Sequence, residues 1–168
     1  MGVRIRYRTT RNQFPSMEQN IRILDGKKIN VGVKGEQAWL AAIHEYGCKI
    51  RITPKMRKWL SANGLHVKDS TTEITIPERS FLRSGFDKNH IKVIEKAERT
   101  LGLVISGDMN VNMLYDLIGT LLRDAIKEYA IDLNAPPKHP FTLQRNPGKT
   151  NPLIQSGDMV NSIEFEVE

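Results

Sequence analysis

The sequence predicts an α+β fold, in which an antiparallel or mixed β-sheet packs against two long antiparallel helices. Three observations lead to this class. Apolar residues recur at helical spacing through two consecutive segments, and several short segments alternate apolar and polar residues as half-buried strands do. The chain of 168 residues is long enough for one core and too short for two comfortable ones. Residues 1–168 are therefore expected to form one domain, with a proline-rich extended arm over 134–152.

The two ends of the chain have the period of strands and carry opposite charges. Residues 3–8 alternate apolar and basic side chains, and residues 163–168 alternate apolar and acidic ones. Side by side they would share one apolar face, and arginines would oppose glutamates on the other face. Each such exposed pair contributes about 0.2–1 kcal/mol. The pairs would therefore determine which strand is the partner more than they would stabilise the pairing. We predict that these strands pair, within one subunit or between two.

Shorter elements follow one another between residues 14 and 76. Apolar spacing indicates helices over 14–24 and 36–46, and Pro54 opens a third, basic helix that Asn63 and Gly64 stop. Alternating or β-branched residues indicate strands over 29–33, 49–53 and 73–76.

The strongest periodicity lies in the second half of the chain. Ile91, Ile94 and the apolar residues up to Ile105 step by threes and fours through a helix of about 18 residues, which Gly107 is expected to end. Residues 111–129 repeat the pattern. We expect an antiparallel hairpin that carries most of the core by plain packing, with no cofactor between its helices.

The segment 134–152 contains five of the eight prolines. Loops beyond about 12–15 residues are uncommon in compact domains unless they bind something or stay disordered. We therefore predict an extended arm, followed by a helical turn over 153–160 and the acidic strand.

Composition and charge narrow the classes of function. No apolar run approaches the roughly 20 residues of a membrane span, and the single cysteine suits a reducing cytoplasm. The net charge of +6 is uneven, because residues 48–60 hold five basic residues and no acidic one. A solvated basic face or a contact with DNA or phosphate would both account for this cluster, which also adjoins Trp59. The candidates for phosphate contact are Lys49, Arg51, Lys55, Arg57 and Lys58.

One short stretch, residues 43–48, looks like an active site. It contains His44, Glu45, Tyr46 and the only cysteine, Cys48. A zinc site would need further ligands at usable spacing, and a thiol nucleophile would need a base from elsewhere in the fold. We favour a structural interpretation: Ile43 and Tyr46 lie on the apolar face of a helix, residue 47 turns the chain with a positive φ, and His44 and Glu45 form hydrogen bonds near that turn. No catalytic, metal or cofactor site is therefore expected.

Three motifs, in order along the chain, resemble those of the neck and tail-completion proteins of tailed bacteriophages, the family often labelled "virion morphogenesis". They are Ile43-His44-Glu45-Tyr46-Gly47, Ile76-Pro77-Glu78-Arg79-Ser80-Phe81-Leu82 and the stretch 151–163. The chain departs from the family pattern at Asp158-Met159 and lacks the tryptophan common in the arm. The motif residues are His44, Glu45, Tyr46, Gly47, Pro77, Arg79, Phe81, Leu82, Pro152, Leu153, Ser156, Gly157, Ser162 and Ile163.

Physical roles for these residues follow from their chemistry. Pro77 fixes the start of its segment, and the Phe81-Leu82 pair anchors it to the core. Arg79 is placed to bind a carboxylate or a C-terminal carbonyl, with the neighbouring subunit as one source. In the third motif, Ser156 is expected to cap a turn, Gly157 to allow a close backbone approach, and Ser162 to precede the last strand.

The resemblance implies a structural virion protein and not an enzyme. It implies a homo-oligomeric ring, a hexamer, at the head-tail junction or on the proximal end of the tail, needed for tail completion and head-tail joining. Its partners would be adjacent neck, connector and tail ring proteins, with transient contact to genomic DNA in the lumen and no membrane. It would be made in the cytoplasm of the bacterial host. A tail-terminator ring protein and a basic DNA-binding module remain alternatives.

Overall fold

The computed structural model describes residues 14–24 and 26–168. It has the α+β composition that the sequence predicts, and a short 3-10 turn, Gly35–Gln37, precedes the second helix. In chain order the elements are α1 (Phe14–Leu24), β1 (Ile29–Val33), α2 (Ala38–Tyr46), β2 (Cys48–Arg51), α3 (Pro54–Ala62), β3 (Glu73–Ile76), α4 (Phe81–Ser106), α5 (Val111–Asp132), α6 (Pro140–Arg145), α7 (Asp158–Asn161) and β4 (Ile163–Val167).

Helices α4 and α5 form the predicted antiparallel hairpin. Gly107 ends α4 in the left-handed region, with φ of 83°, and the side chain of Asn110 caps α5 by accepting a hydrogen bond from the Asn112 N–H at 2.7 Å. Helix α4 is 26 residues long, so it begins ten residues before the periodic stretch from which it was predicted.

The expectation that Ile91 and Ile94 face the core is wrong. Their exposed fractions are 61% and 52%, whereas Val93 between them is buried. The buried line of α4 runs through Phe81, Gly85, Val93 and Val104. The middle of α4 therefore has large apolar side chains, Ile91 and Ile94, on its exposed face.

Two glycines set how closely the layers approach each other. A Cβ on Gly85 of α4 would lie 3.3 Å from the Cα of Ile126 in α5. A Cβ on Gly119 of α5 would lie 2.2 Å from the ring of Phe165 in β4. The absence of a side chain at residue 119 therefore lets β4 lie directly on α5.

The four described strands form two separate antiparallel pairs instead of one sheet. Strand β1 pairs with β4, with Val31 opposite Phe165, and β2 pairs with β3, with Cys48 opposite Ile76. The β1–β4 pair packs against α5, as predicted for the sheet, whereas β2 and β3 form a second pair that shares no strand with the first. The predicted strand 3–8 and its pairing with 163–168 lie outside the described residues.

Two buried clusters make up the core. The larger one joins α4 and α5 to the last part of the chain through Phe81, Ile126, Leu153 and Ile163. The smaller one lies at the turn of the hairpin around Val104 and Leu114. None of the described helices combines the length and the apolar character that a bilayer span requires.

The prediction of an extended arm over 134–152 is wrong for this chain, because the segment is folded. It contains helix α6 and returns to the end of α5. Asn151 holds it there: its Nδ2 donates to the carbonyls of Ala130, Ile131 and Leu133 at 2.7–3.1 Å. The Asn151 Oδ1 accepts hydrogen bonds from two N–H groups that follow it in the chain. The helical turn expected over 153–160 is limited to α7.

Candidate functional site

The three sequence motifs meet at one place, although more than a hundred residues separate the first from the third. The N–H of Arg79 donates to the carbonyl of His44 at 2.7 Å, which joins the first motif to the second. Phe81 of the second motif and Leu153 and Ile163 of the third lie in one buried cluster. The motifs therefore form a single structural junction.

Glu45 is the buried centre of this junction, with 2% of its surface exposed. Its carboxylate accepts hydrogen bonds from the N–H groups of Leu82 and Arg83, at 2.8 and 3.1 Å, and from the Ser80 hydroxyl at 3.1 Å. These N–H groups belong to the first turn of α4, which lacks intrahelical acceptors. A carboxylate from α2 thus caps α4 across 37 residues of sequence. Its negative charge also interacts favourably with the positive, N-terminal end of the α4 dipole.

The polar contacts of Glu45 determine its charge. Burial alone would raise the pKa of the Glu45 carboxyl, but the N–H groups of Leu82 and Arg83 and the side chains of Arg83 and Ser80 hold the pKa below its ordinary value. The Glu45 carboxylate is therefore ionised and fully occupied by groups of its own chain.

Arg83 covers the outer side of the junction. Its Nε donates to Glu45 Oε1 at 2.9 Å, and its Nη2 donates to the Glu78 carboxylate at 2.7 Å. The guanidinium lies 4.8 Å from the centre of the Tyr46 ring, a cation–π distance. Tyr46 is 66% exposed, so the expectation that it packs on the apolar face of α2 is wrong.

Gly47 is required by its backbone and by its neighbours. Its φ of 69° and ψ of 168° lie in a region that is essentially restricted to glycine, which confirms the predicted positive φ. A Cβ at this position would lie 2.8 Å from the Glu78 nitrogen and 2.9 Å from the Ile76 oxygen. The turn after α2 therefore touches the backbone of the second motif directly.

Arg79 and Lys138 are buried cations on the other side of this segment, with 6% and 9% of their surfaces exposed. Arg79 donates from Nε to the Pro136 carbonyl at 2.9 Å and from Nη2 to the Pro137 carbonyl at 3.1 Å. Lys138 Nζ donates to two further carbonyls at 2.9 Å. Of the two partners expected for Arg79, a carboxylate or a C-terminal carbonyl, neither is present in the described part of the chain; the carbonyls that it binds belong to the proline-rich segment.

His44 lies beside the two cations. Its Nδ1 is 3.3 Å from Arg79 Nη1, and it must be the acceptor because a guanidinium has only donors. Burial first, and then the charges of Arg79 and Lys138, lower the pKa of the His44 imidazole. A neutral His44 is what this hydrogen bond requires.

A cleft of about 600 Å³ opens above these groups, between β3, α2 and residues 137–155. Its walls include the apolar side chains of Leu40, Ile76 and Leu153, and its polar lining includes His44, Arg79, Lys138 and His139. The described residues that line it include no aspartate or glutamate. The cleft is therefore cationic at its base and apolar on its walls.

The remaining residues of the third motif shape the approach to β4. The Ser156 hydroxyl donates to the Asp158 carboxylate and lies 3.4 Å from the Asp158 N–H, within the turn before α7. The N-cap residue of α7 is Gly157 and not Ser156. Gly157 has a φ of 99°, and a Cβ there would meet no atom closer than Asn161 Nδ2 at 3.5 Å. Its backbone conformation, and not the close approach that was predicted, is the reason for glycine. The Ser162 hydroxyl donates to the Asp158 carbonyl at 2.7 Å, and Pro152 beside Leu153 is buried.

The basic cluster is divided in the structure. Arg57 points back into the chain, where it donates to the carbonyls of Val67, Lys68 and Thr71 at 2.7–2.9 Å. Arg57 thus stabilises the loop between α3 and β3. Its place in a run of basic residues did not indicate this role. The other four cations are exposed and remain candidates for phosphate contact: Lys49, Arg51, Lys55 and Lys58. Trp59 is also exposed, and the guanidinium of Arg145 lies 5.4 Å from its ring.

Three further residues hold the junction and the cleft together: Arg83, Lys138 and Asn151. Arg83 and Lys138 lie outside the quoted motifs, and no local pattern marked either. Asn151 did carry a signal, because an Asn-Pro pair favours a turn. Within residues 14–24 and 26–168, no three His, Cys, Asp or Glu side chains come close enough to share a metal ion. No protein-family model, curated protein or solved structure matches the chain.

Proposed function

We propose that this protein is a structural subunit of a tailed-phage virion, which assembles as a homo-oligomeric ring at the head-tail junction or the proximal end of the tail. The proposal combines the resemblance of the three motifs with one observation of the structure. That observation is the junction around Glu45, in which polar groups of residues 43–48 form hydrogen bonds within the fold. A catalytic carboxylate would need to reach a substrate, whereas the oxygens of Glu45 are taken by α4.

Exposed apolar side chains support an assembled state. Ile91, Ile94 and Leu103 are about half exposed on α4, as are Met113 and Ile131 on α5. Ile91 and Ile94 are three residues apart and therefore share one face of α4. Exposed large apolar residues that share a face are typical of surfaces that other protein copies cover. Opposite charges on one chain also favour head-to-tail contacts, which close into rings when the rotation permits.

The mass of the purified protein in solution tests the ring. Light scattering and native mass spectrometry are expected to give one discrete multiple of the 19.1 kDa chain. Ile94→Asp is expected to reduce the oligomer without unfolding the chain, because residue 94 is already half exposed. Lys96→Asp is the matched control, since it introduces the same residue on the opposite side of α4 and should leave the mass unchanged. A monomer at every accessible concentration would contradict the proposal.

A basic DNA-binding module is the second candidate, favoured by the exposed Lys49, Arg51, Lys55 and Lys58 beside Trp59. A dedicated duplex binder loses affinity steeply as salt rises, because each neutralised phosphate releases counterions. Fluorescence anisotropy with a short duplex, at low and at physiological salt, measures this slope. A steep salt dependence of the affinity that becomes shallower in Lys55→Ala and Lys58→Ala would favour this candidate. No measurable binding would leave the ring as the remaining proposal. A tail-terminator role would be distinguished by the position of the ring in the particle.

A further inference from the structure

Two buried cations at the base of the cleft have no counterion in the described part of the chain. No aspartate or glutamate oxygen of those residues lies within 4.0 Å of Arg79 or Lys138, whereas Arg83 nearby makes two ion pairs. Backbone carbonyls solvate both cations, but carbonyls are dipoles and leave the positive charge in place. Burying a charge without an opposite charge is unfavourable unless something else compensates it.

Both cations also keep donors that the described residues do not use. A guanidinium has more N–H groups than the Pro136, Pro137 and His44 contacts of Arg79 occupy, and an ammonium has more than the two contacts of Lys138 occupy. The fork of a guanidinium matches the two oxygens of a carboxylate. The base of the cleft is thus suited to a carboxylate.

The walls of the cleft identify what kind of carboxylate would fit. Leu40, Leu153 and Ile154 make the interior apolar, and the volume of about 600 Å³ falls within the range of roughly 300–1,000 Å³ typical of ligand sites. Three consecutive residues of β3, Ile74–Ile76, line one side. In the described chain β3 pairs only with β2, so the strand edge beside the cleft is free to accept another strand.

We propose that the cleft binds an extended, apolar segment of a partner protein that bears a carboxylate, with the segment alongside β3 and the carboxylate on Arg79 and Lys138. Main-chain hydrogen bonds to a strand edge give affinity in such complexes, and pockets for particular side chains give specificity. Charge complementarity selects the acidic segment, because the cleft has basic side chains and no acidic one among its described lining residues. This inference goes beyond the ring and does not depend on it.

Amide chemical-shift titration of the ¹⁵N-labelled full chain tests the inference. The probes are the blocked peptide acetyl-Thr-Leu-Glu-Leu-Thr-amide, the same peptide with Gln for Glu, acetate, and inorganic phosphate. We expect the acidic peptide to bind saturably and about tenfold tighter than the Gln peptide, the difference expected of a hydrogen-bonded charge. The shifts should lie at β3, α2 and residues 136–155. Lys138→Met should reduce the affinity to that of the Gln peptide, and Lys96→Met, at an exposed site on α4, should leave it unchanged.

The following binding results would overturn the inference. Equal affinities of the two peptides, shifts elsewhere on the chain, or no saturation up to the solubility of the peptide would remove the carboxylate site. Phosphate or acetate that binds as tightly as the acidic peptide would indicate a site for free anions and not for a protein segment. If Lys138→Met does not fold, the comparison of the two peptides on the unaltered chain still decides. A monomer that binds the acidic peptide would keep this inference and lose the ring, and a ring that ignores the peptide would do the reverse.

Discussion

Glu45 and the pair Arg79–Lys138 are buried charges on either side of the same segment, but they are compensated differently. The Glu45 carboxylate meets the first turn of α4, Ser80 and Arg83, all within the chain. Among the described residues, the two cations meet carbonyls and an imidazole but no carboxylate. A buried charge that its own chain satisfies serves the fold, whereas we propose that a buried charge without a counterion among the described residues receives one from another molecule.

Both regions depend on the turn at Gly47, which gives the largest expected effect. Gly47→Ala should destabilise the protein by about 3–5 kcal/mol, because it puts a side chain in a glycine-only backbone region and against the backbone of Ile76 and Glu78. Urea denaturation measures the change. Gly64→Ala is the matched control: φ is also positive, but the space is open, so a loss of only about 1–2 kcal/mol is expected. Equal losses would show that the close approach contributes little.

Removal of the internally satisfied charge should be the next largest effect. Glu45→Ala leaves two N–H groups of α4 and the Ser80 hydroxyl without their acceptor, so we expect a loss of about 2–4 kcal/mol in the free energy of unfolding. Glu78→Ala removes the other, exposed carboxylate that contacts Arg83 and should cost at most about 1 kcal/mol. Amide exchange should also accelerate in the first turn of α4 only in the Glu45 variant. Similar losses in both variants would mean that the cap is not what stabilises the junction.

Removal of an uncompensated charge should cost less. Lys138→Met loses two hydrogen bonds to carbonyls but relieves the burial of an ammonium, so we expect a change of about 1 kcal/mol or less. Burial first, and then the charges of Lys149 and Arg79, already lower the pKa of Lys138, in keeping with an unfavourable site for the cation. Lys149→Met, on the exposed lysine that bonds to Gln155, should be neutral. A loss for Lys138→Met as large as that for Glu45→Ala would make the two regions equivalent and remove the contrast.

The smallest expected effect is a pH dependence of stability, which differs between His44 and Glu45. The folded pKa of His44 lies below its ordinary value of 6.5, so the unfolded chain binds the proton first and stability falls as the pH drops below 6.5. The folded pKa of Glu45 is also lowered, from 4.5, so its contribution is lost only as the pH falls below that value. Urea midpoints between pH 7.5 and 5 should decrease slightly in the unaltered protein and stay level in His44→Gln. An unchanged slope in His44→Gln would assign the titration to another group.

Local signals in the sequence predicted most of the elements. The strands at 29–33 and 73–76 and the helix at 14–24 coincide with β1, β3 and α1, because each is bounded by turn residues and has a clear period. The end of α4 at Gly107 was also predicted, since a glycine after the last periodic residue is a strong stop signal. The start of α4 was not, because its cap is a carboxylate from another helix.

Features that depend on tertiary contacts could not be predicted from one sequence. Arg57 belongs to a run of cations, and only the folded loop shows that it is used internally. The proline-rich segment was expected to extend, yet Lys138 and Asn151 bind carbonyls that come together only after folding. Ile91 and Ile94 have the spacing of core residues, but Val93 between them takes the buried position on this part of α4 and leaves both exposed.

Cryo-electron microscopy of the intact particle is the most direct test of the central claim, that these residues fold a subunit and present it to other proteins instead of performing a reaction. We expect a closed ring of copies between the portal and the tail tube. Ile91 and Ile94 of α4 should lie at a subunit boundary, and an acidic segment should lie in the cleft. A particle whose portal-to-tube region lacks this chain, or a chain within it whose cleft and α4 face solvent, would contradict the account.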